Sequence, residues 1–424
     1  MDKKKAEEAM TKLKIAIRIK KEEIKNNKIL FPRHDNSRLE EDIETYETAI
    51  EALEKEIIRS HMDDHGGKAN EMVGWIPVSK WLPENGTYLC TLDGELCGID
   101  EPFTGMCGIE NGKWDEGQLV EDDTITLNEC AGVLQYAQTC FEGLKAYTTK
   151  DGRTVCFRPD LNASRIADSC RGLQIPVVPE EMFLRAVKEV VKANEAWVPP
   201  FGSGATLYIR PYVFGVNPVI GVKPADEYEF RMFCTPVGPY FKGGAKPITI
   251  RVSDVDRAAP HGTGNIKAGL NYAMSLRNIV DAHEHGFDEN MYLDPATRTK
   301  VEETGGANFL FVTKDGTVVT PKSDSILPSI TRRSLMVVAE KYLGLKVEQR
   351  EVYFDEVKDF AECGLCGTAA VISPVGKIVN HGEEICFPSG MEEMGPVTKK
   401  LYETLTGIQM GEIEAPEGWI CEIK

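Results

Sequence analysis

Apolar residues repeat along this chain with two different rhythms, and the change of rhythm divides it. Over residues 1–62 the period is helical: Ile43, Tyr46, Ile50, Leu53 and Ile57 recur at alternating three- and four-residue steps, the stripe that one face of an α-helix buries. Ser37 and Glu40 form a capping box ahead of it. Met10, Leu13, Ile17 and Ile24 keep the same rhythm upstream, interrupted by Lys20, and Phe31-Pro32-Arg33-His34-Asp35 breaks the two stripes apart. The pattern predicts a helical hairpin or short coiled coil, a packing element without chemistry of its own.

A linker from His61 to Ala69, carrying Gly66-Gly67, follows. Two histidines four apart in a linker, His61 and His65, are a poor metal site without further ligands. From about Asn111 the texture becomes short apolar runs alternating with helical stripes. Strands are predicted at Thr154–Phe157, Thr206–Ile209, Phe230–Thr235, Ile248–Val252 and Phe309–Val312, and helices at Leu161–Leu173, Glu180–Ala196 and Ile330–Tyr342. Pro236 to Gly244, rich in Pro and Gly, is the best internal boundary. The expected class is α/β, or α+β, in four segments: a helical hairpin over 1–62, a small β unit over 74–112, and two domains over 113–236 and 245–424.

Composition narrows the function. The 424 residues are 42 % hydrophobic, enough for packed cores, and carry a formal charge of −18. That charge opposes a phosphate-backbone surface, so nucleic acid is a poor partner. No apolar run approaches the roughly 20 residues that span a bilayer, and the N-terminus lacks the apolar stretch of a signal peptide. A cytoplasmic protein is expected. Twelve scattered cysteines read as reduced thiols, with Cys363 and Cys366 alone in CxxC spacing. No metal is expected, because no second ligand pair stands out.

Two resemblances follow from motifs. Trp75-Ile76-Pro77-Val78-Ser79-Lys80-Trp81-Leu82-Pro83 resembles the opening of a small phage and prophage domain of unknown function, from which no activity follows. From Asn111 onward the chain resembles the fold type IV pyridoxal-phosphate (PLP) enzymes, and among them the branched-chain amino-acid aminotransferases. Several motifs in family order carry this: Tyr136-Ala137-Gln138-Thr139-Cys140-Phe141-Glu142-Gly143, Phe157-Arg158 through Arg165, Tyr208-Ile209-Arg210-Pro211, Lys267-Ala268-Gly269-Leu270-Asn271-Tyr272, Glu302-Glu303-Thr304 through Asn308, Leu327 to Arg332, and Gly367-Thr368-Ala369-Ala370.

The resemblance implies residue roles that chemistry makes intelligible. Lys267 matches the lysine that holds PLP, a role that needs an amine able to form an imine and later move a proton. Glu303, rather than Glu302, matches the carboxylate beside the pyridine nitrogen. Arg165, the amides of Ile330 and Thr331 at a helix start, and the Thr368 hydroxyl match the phosphate cup; Arg158 and Arg171 read as solvated charges. Tyr272 resembles the tyrosine that bonds the cofactor's ring oxygen.

For substrate, Phe141, Gly143 and Tyr240 resemble the pocket wall. Tyr136 and Arg210 resemble the residues that take a glutamate side-chain carboxylate, with Tyr208 orienting Arg210, and the amides of Thr368 and Ala369 take the α-carboxylate. The implied reaction is reversible amino transfer between Leu, Ile or Val and 2-oxoglutarate, so the partners are small amino acids and 2-oxo acids. A two-domain fold and a homodimer sharing residues across its interface are implied too. Within the fold, a D-amino-acid aminotransferase or an aminodeoxychorismate lyase is the alternative; outside it, a catalytically impaired fusion or scaffold protein. The family's small domain begins with a segment of its own upstream of Asn111, where this chain carries the phage-like unit, so an uncovered sheet edge is a further expectation, with substitution of the missing strand by the phage-like hairpin as its alternative. Cys363 and Cys366 stand as a candidate redox pair against inert buried thiols.

Overall fold

A computed structural model describes residue 43, the backbone of 104–110, and residues 113–120, 123–238 and 246–424. The expected helical hairpin, His61 and His65, most of the phage-like unit and Tyr240 lie outside the described residues. Residues 1–75 and 76–424 separate into two units, and all that follows concerns the second.

Its first sheet is built from β1 (Thr104–Glu110), β2 (Lys113–Trp114), β3 (Gln118–Val120), β4 (Thr139–Phe141), β5 (Leu144–Thr148), β6 (Thr154–Phe157), β7 (Thr206–Gly215) and β8 (Tyr228–Val237). All these pairings are antiparallel, and α1 (Gly132–Tyr136), α2 (Pro159–Gly172) and α3 (Glu180–Ala193) accompany the sheet. On α3, Phe183, Val187, Val190 and Val191 fall on one face and are buried, which is why this stripe folds as a helix against a sheet. Glu180 and Glu181 in its first turn complement the positive end of the helix.

The second sheet comprises β9 (Ile248–Val252), β10 (Glu289–Met291), β11 (Asn308–Val312), β12 (Val318–Pro321), β13 (Val347–Arg350), β14 (Glu362–Gly367), β15 (Val371–Asn380) and β16 (Glu383–Cys386). It is mixed, with parallel pairs β9–β10, β9–β15 and β12–β13. Helices α4 (Gly269–Glu284), α5 (Ile330–Lys341) and α6 (Pro396–Gln409) belong to this half. Strand β17 (Ile420–Glu422) then returns to pair with β6 of the first sheet.

Strand periodicity decides how the halves meet. Leu144, Ala146, Leu207 and Ile209 point into the core of the first sheet with α2 and α3, whereas Tyr147, Val155 and Phe157 join a second core with Leu310, Leu335, Leu401 and Trp419. Because successive side chains alternate, Gly143 and Lys145 on one side, and Tyr208 and Arg210 on the other, share the face turned toward the second half. The register sets Lys145 opposite Tyr208. A third core, with Ile250, Phe309, Phe311 and Phe360, lies on the far side of the second sheet.

The predicted strands and helices agree with these elements to within three residues at their ends, except that β7 runs six residues beyond the strand expected at Thr206–Ile209. The uncovered edge is a further exception. Strand β1 pairs antiparallel with β8 through five register pairs from Gly105↔Met232 to Ile109↔Tyr228 and with β2 and β3 on its other side, so the chain just before Asn111 covers β8: of the two expectations, substitution for the missing strand is met and the uncovered edge is not. A chain beginning at residue 112 should therefore melt below one beginning at residue 76, by roughly 2–4 °C for each kcal/mol lost, with faster amide exchange along β8. Equal melting temperatures would show that β1 contributes nothing to the sheet.

Candidate active site

Lys267 is held by the first half of the molecule although it belongs to the second. Its carbonyl accepts from the amide of Phe141 at 3.0 Å, its amide donates to the Ser169 hydroxyl at 3.2 Å, and the next residue, Ala268, bridges Cys140. Helix α4 starts directly after it, and Asn271 ties that start to the preceding loop by donating to the carbonyls of Thr263 and Ile266. Tyr272 lies in the first turn of the helix. The Lys267 amine donates to the Tyr272 hydroxyl at 2.9 Å and sits 4.8 Å from the centre of the Phe141 ring.

The cavity around Lys267 is walled by Arg165, Arg257, Tyr272, Glu303, Cys366 and Thr368 among others. Glu303 accepts from the Asn308 side chain at 2.6 Å and from the Leu327 amide at 3.0 Å, and one Glu303 oxygen lies 2.5 Å from the Arg257 guanidinium. Burial pushes the Glu303 carboxyl up to about 7, against the opposing pull of Arg257. Glu302 turns elsewhere and takes the Ser323 hydroxyl. The neighbours separate because a strand-like backbone sends them to opposite sides.

Arg165 lies against Glu142 in a fork: Nε to Oε1 and Nη2 to Oε2, both 2.7 Å, with Asn162 adding a 2.7 Å bond to Glu142. The third arm, Nη1, donates to the Pro328 carbonyl at 3.1 Å, just ahead of α5. Glu142 is fully buried, and despite that burial the pairing with Arg165 holds its carboxyl below the usual range. At α5 the Ser329 side chain caps the amide of Arg332. The amides of Ile330 and Thr331, one residue inside, have no intrahelical partner by geometry.

On the first sheet, Arg210 donates to the Tyr208 hydroxyl at 3.1 Å and lies 4.8 Å from the Phe141 ring. Its Nε–H is buried without a partner. Gly143 is required here, since a Cβ at that position would collide with the Tyr208 hydroxyl. Thr368 and Ala369 occupy the turn between β14 and β15, and that turn ends on Val371 at φ 63°, a left-handed conformation rare for a β-branched residue.

The structure thus gathers Lys267, Tyr272, Glu303, Arg165, Thr368 and the start of α5 around one cavity, with Phe141 and Arg210 adjoining. It does not bring Tyr136 there: Tyr136 is exposed on α1, its hydroxyl bonded to the Ile220 carbonyl. Arg158, expected as a solvated charge, is half-buried between Ser334 and the Trp419 ring, while Arg171 is exposed beside Asp168. Cys363 and Cys366 fall on opposite faces of β14, in different cores. Burial raises both thiols, Cys366 to about 12, which removes the thiolate a redox pair needs.

Three residues escaped the sequence reading. Glu142 lay inside a quoted motif but carried no expected role. Arg257 sits ten residues before the lysine. Lys145 is buried on β5 and donates to the Ala369 carbonyl at 2.7 Å, and burial pushes its amine down to about 8. Only a charged residue type amid apolar strand positions signalled any of them.

The sequence matches the amino-transferase class IV family over residues 139–378. It is 53 % identical to the branched-chain-amino-acid aminotransferase of Haemophilus influenzae over 320 residues, 74 % of this chain and 93 % of that protein. The fold is similar to the crystal structure of the Escherichia coli branched-chain amino acid aminotransferase, with a TM-score of 0.64 and 27 % identity over 76 % of this chain and all of that one. It is equally similar, at a TM-score of 0.64 and 26 % identity over 77 % of this chain and all of that one, to the T.th. branched-chain amino acid aminotransferase complexed with N-(5'-phosphopyridoxyl)-L-glutamate.

Glu142→Ala should destabilise the protein by about 3–5 kcal/mol, because it strands the buried Arg165 charge. Denaturant unfolding measures it, and a loss under about 1 kcal/mol would mean that Arg165 finds another partner.

Proposed function

The chain belongs to the class IV amino-transferases, and from that premise we propose that the cavity beneath Lys267 holds PLP and exchanges the amino group of Leu, Ile or Val with 2-oxoglutarate. The activity is branched-chain amino-acid transamination. What carries the site assignment is the convergence on one cavity of a lysine amine, a buried carboxylate and an arginine fork beside a helix start. The donor set fits the cofactor: a dianionic phosphate wants a guanidinium and free helix amides, and a pyridinium wants a buried carboxylate.

In this reading Arg165, the amides of Ile330 and Thr331 and the Thr368 hydroxyl receive the phosphate. Tyr272 faces the ring oxygen and Glu303 the ring nitrogen. When bound, PLP supplies the electron sink that makes an α-proton labile. Lys267 would both hold the cofactor and serve as the base: its amine, close to the Tyr272 hydroxyl, would take the proton from the substrate Cα. The Phe141 ring and the Gly143–Tyr208 contact close one wall against water and leave room for an aliphatic side chain. Arg210, with its unused Nε–H, meets the second carboxylate of glutamate, and the Thr368 and Ala369 amides meet the α-carboxylate common to every substrate.

Tyr136 fits only if it acts outside its own chain. Its exposed place on α1 beside Leu134 supports a homodimer in which Tyr136 of one protomer reaches the pocket of its partner. We read the chain as a small domain over 113–236 and a large, cofactor-holding domain over 245–424, a division supported by the two sheets although β1 and β17 of the first lie outside the smaller range. Among the described residues no helix is long and apolar enough to cross a membrane, and the nine described cysteines are free, which supports a reducing, cytoplasmic setting.

The purified full chain with PLP should show the absorbance of protein-bound cofactor and turn over leucine with 2-oxoglutarate, and Lys267→Ala should abolish both; an unchanged spectrum in that variant would displace Lys267 from its role. Mixed dimers test the shared pocket. Lys267→Ala and Tyr136→Ala protomers, each impaired alone, should regain activity when refolded together, because one site in each hybrid then has both residues. No recovery in demonstrated hybrids would confine Tyr136 to its own subunit.

A further inference from the structure

Glu303 can pair with a ring nitrogen only while it is ionised, and its surroundings oppose that. It is buried, and desolvation is the largest influence on it. It shares its cavity with Arg165, Lys267 and Tyr272, and further charged or titratable groups lie about it. Glu302, next in the chain, disfavours the ionised form; Arg332 on α5 favours it; the Cys366 thiol of β14 is neutral. Arg257 is the strong opposing influence, 2.5 Å from a Glu303 oxygen and itself buried. The same Arg257 nitrogen donates to the carbonyls of Gly264 and Ser325, at 2.6 and 2.8 Å. Gly264 is closely packed there, since a Cβ would meet the Ser325 carbonyl and then the Arg257 guanidinium. The guanidinium is thereby locked in place by two backbone carbonyls that have no dependence on ligand.

We propose that Arg257 is a positioning residue of the reaction: it holds Glu303 as a carboxylate, aimed and charged, before the cofactor arrives. The inference rests on the reading of Glu303 as the partner of the ring nitrogen. Its logic is electrostatic. A neutral carboxylic acid at that place offers one hydrogen bond but no countercharge, and the ring nitrogen would lose its proton on entering a buried site. A carboxylate already paired with a fixed cation costs less to keep ionised, and the pyridinium then joins an existing charge rather than creating one in the interior. Arg257 lines the same cavity, and the role proposed for it is exerted through Glu303.

The test is a double-mutant cycle in the full chain, read by titrating PLP into protein freed of cofactor and following intrinsic fluorescence from about pH 5.5 to about pH 9.5, a span that brackets the shifts expected of a buried carboxyl. Arg257→Gln should weaken binding at neutral pH by tenfold or more, on the order of one to two powers of ten for an opposite charge removed from this range. The pH midpoint above which binding becomes tight should move up by about 1–3 units. Arg257→Lys, which keeps the charge, should recover most of the affinity and guards against a mere failure to fold. In a Glu303→Gln background, Arg257→Gln should cost little further affinity, since nothing remains for Arg257 to hold ionised. Equal losses in both backgrounds, or an unmoved midpoint, would overturn the proposal and leave Arg257 a structural clamp on the 257–264 loop. If the unaltered protein binds no PLP at any pH, it is the cofactor reading that falls instead.

Discussion

The Arg165–Glu142 pair is the contact on which the rest of the site depends. Three segments remote in sequence meet at it: the turn between β4 and β5, the middle of α2, and Pro328, two residues before α5. Burying two charges costs several kcal/mol per ion, and such a pair stabilises only when geometry and the remaining hydrogen bonds are good. Here the fork is bidentate, Asn162 satisfies a further lone pair, and the third arm of the guanidinium reaches Pro328. The orientation of α5, and so of its free amides, is referred to a charge whose own position is fixed from the other half of the molecule.

A second constraint comes from strand alternation. Because β5 and β7 bury Leu144, Ala146, Leu207 and Ile209 in one core, the intervening residues must face the second half. Those residues are the polar ones: Lys145, Tyr208 and Arg210. A one-residue slip of β5 against β7 would exchange the sets and empty the pocket wall. Close approach of Gly143 to Tyr208 makes that slip still harder, since any other residue at 143 would collide with the hydroxyl.

These constraints also explain what could be read from the chain beforehand. Strands such as Ile248–Val252 and helices such as Ile330–Lys341 were legible because their signal is local, a period within ten or so residues. That Lys267, Arg165 and Glu303 share one cavity was legible through motif order. Glu142 was not, because its identity as a partner depends on Arg165, 23 residues away and on another element. Arg257 and Lys145 are of the same kind: each is defined by the backbone carbonyls it meets, Gly264, Ser325 and Ala369, which no side-chain pattern encodes. The covered β8 edge was legible only as one of two outcomes, for a related reason. Residues 104–110 read as part of an upstream unit, and strand pairing respects the available edge rather than the apparent origin of the segment.

The charge balance of the cavity favours an anionic occupant. Arg165, Arg257 and Lys267 line it, and the carboxylates that answer them are Glu303 in the wall and Glu142 behind it. The chain as a whole carries −18, yet this wall is locally cationic, and local field rather than net charge selects a ligand. Beyond the charges stand further donors: the first amides of α5 and the Nε–H of Arg210. A buried donor left unpaired costs about 1–3 kcal/mol, a cost that a hydrocarbon ligand could not relieve. A phosphate offers several acceptor oxygens to one cup and a substrate carboxylate offers two, so each satisfies a group of donors together. Binding free energy gained this way is also stability gained by the folded chain. The same interactions that make the pocket selective for anions therefore make its folded form more stable when one is bound.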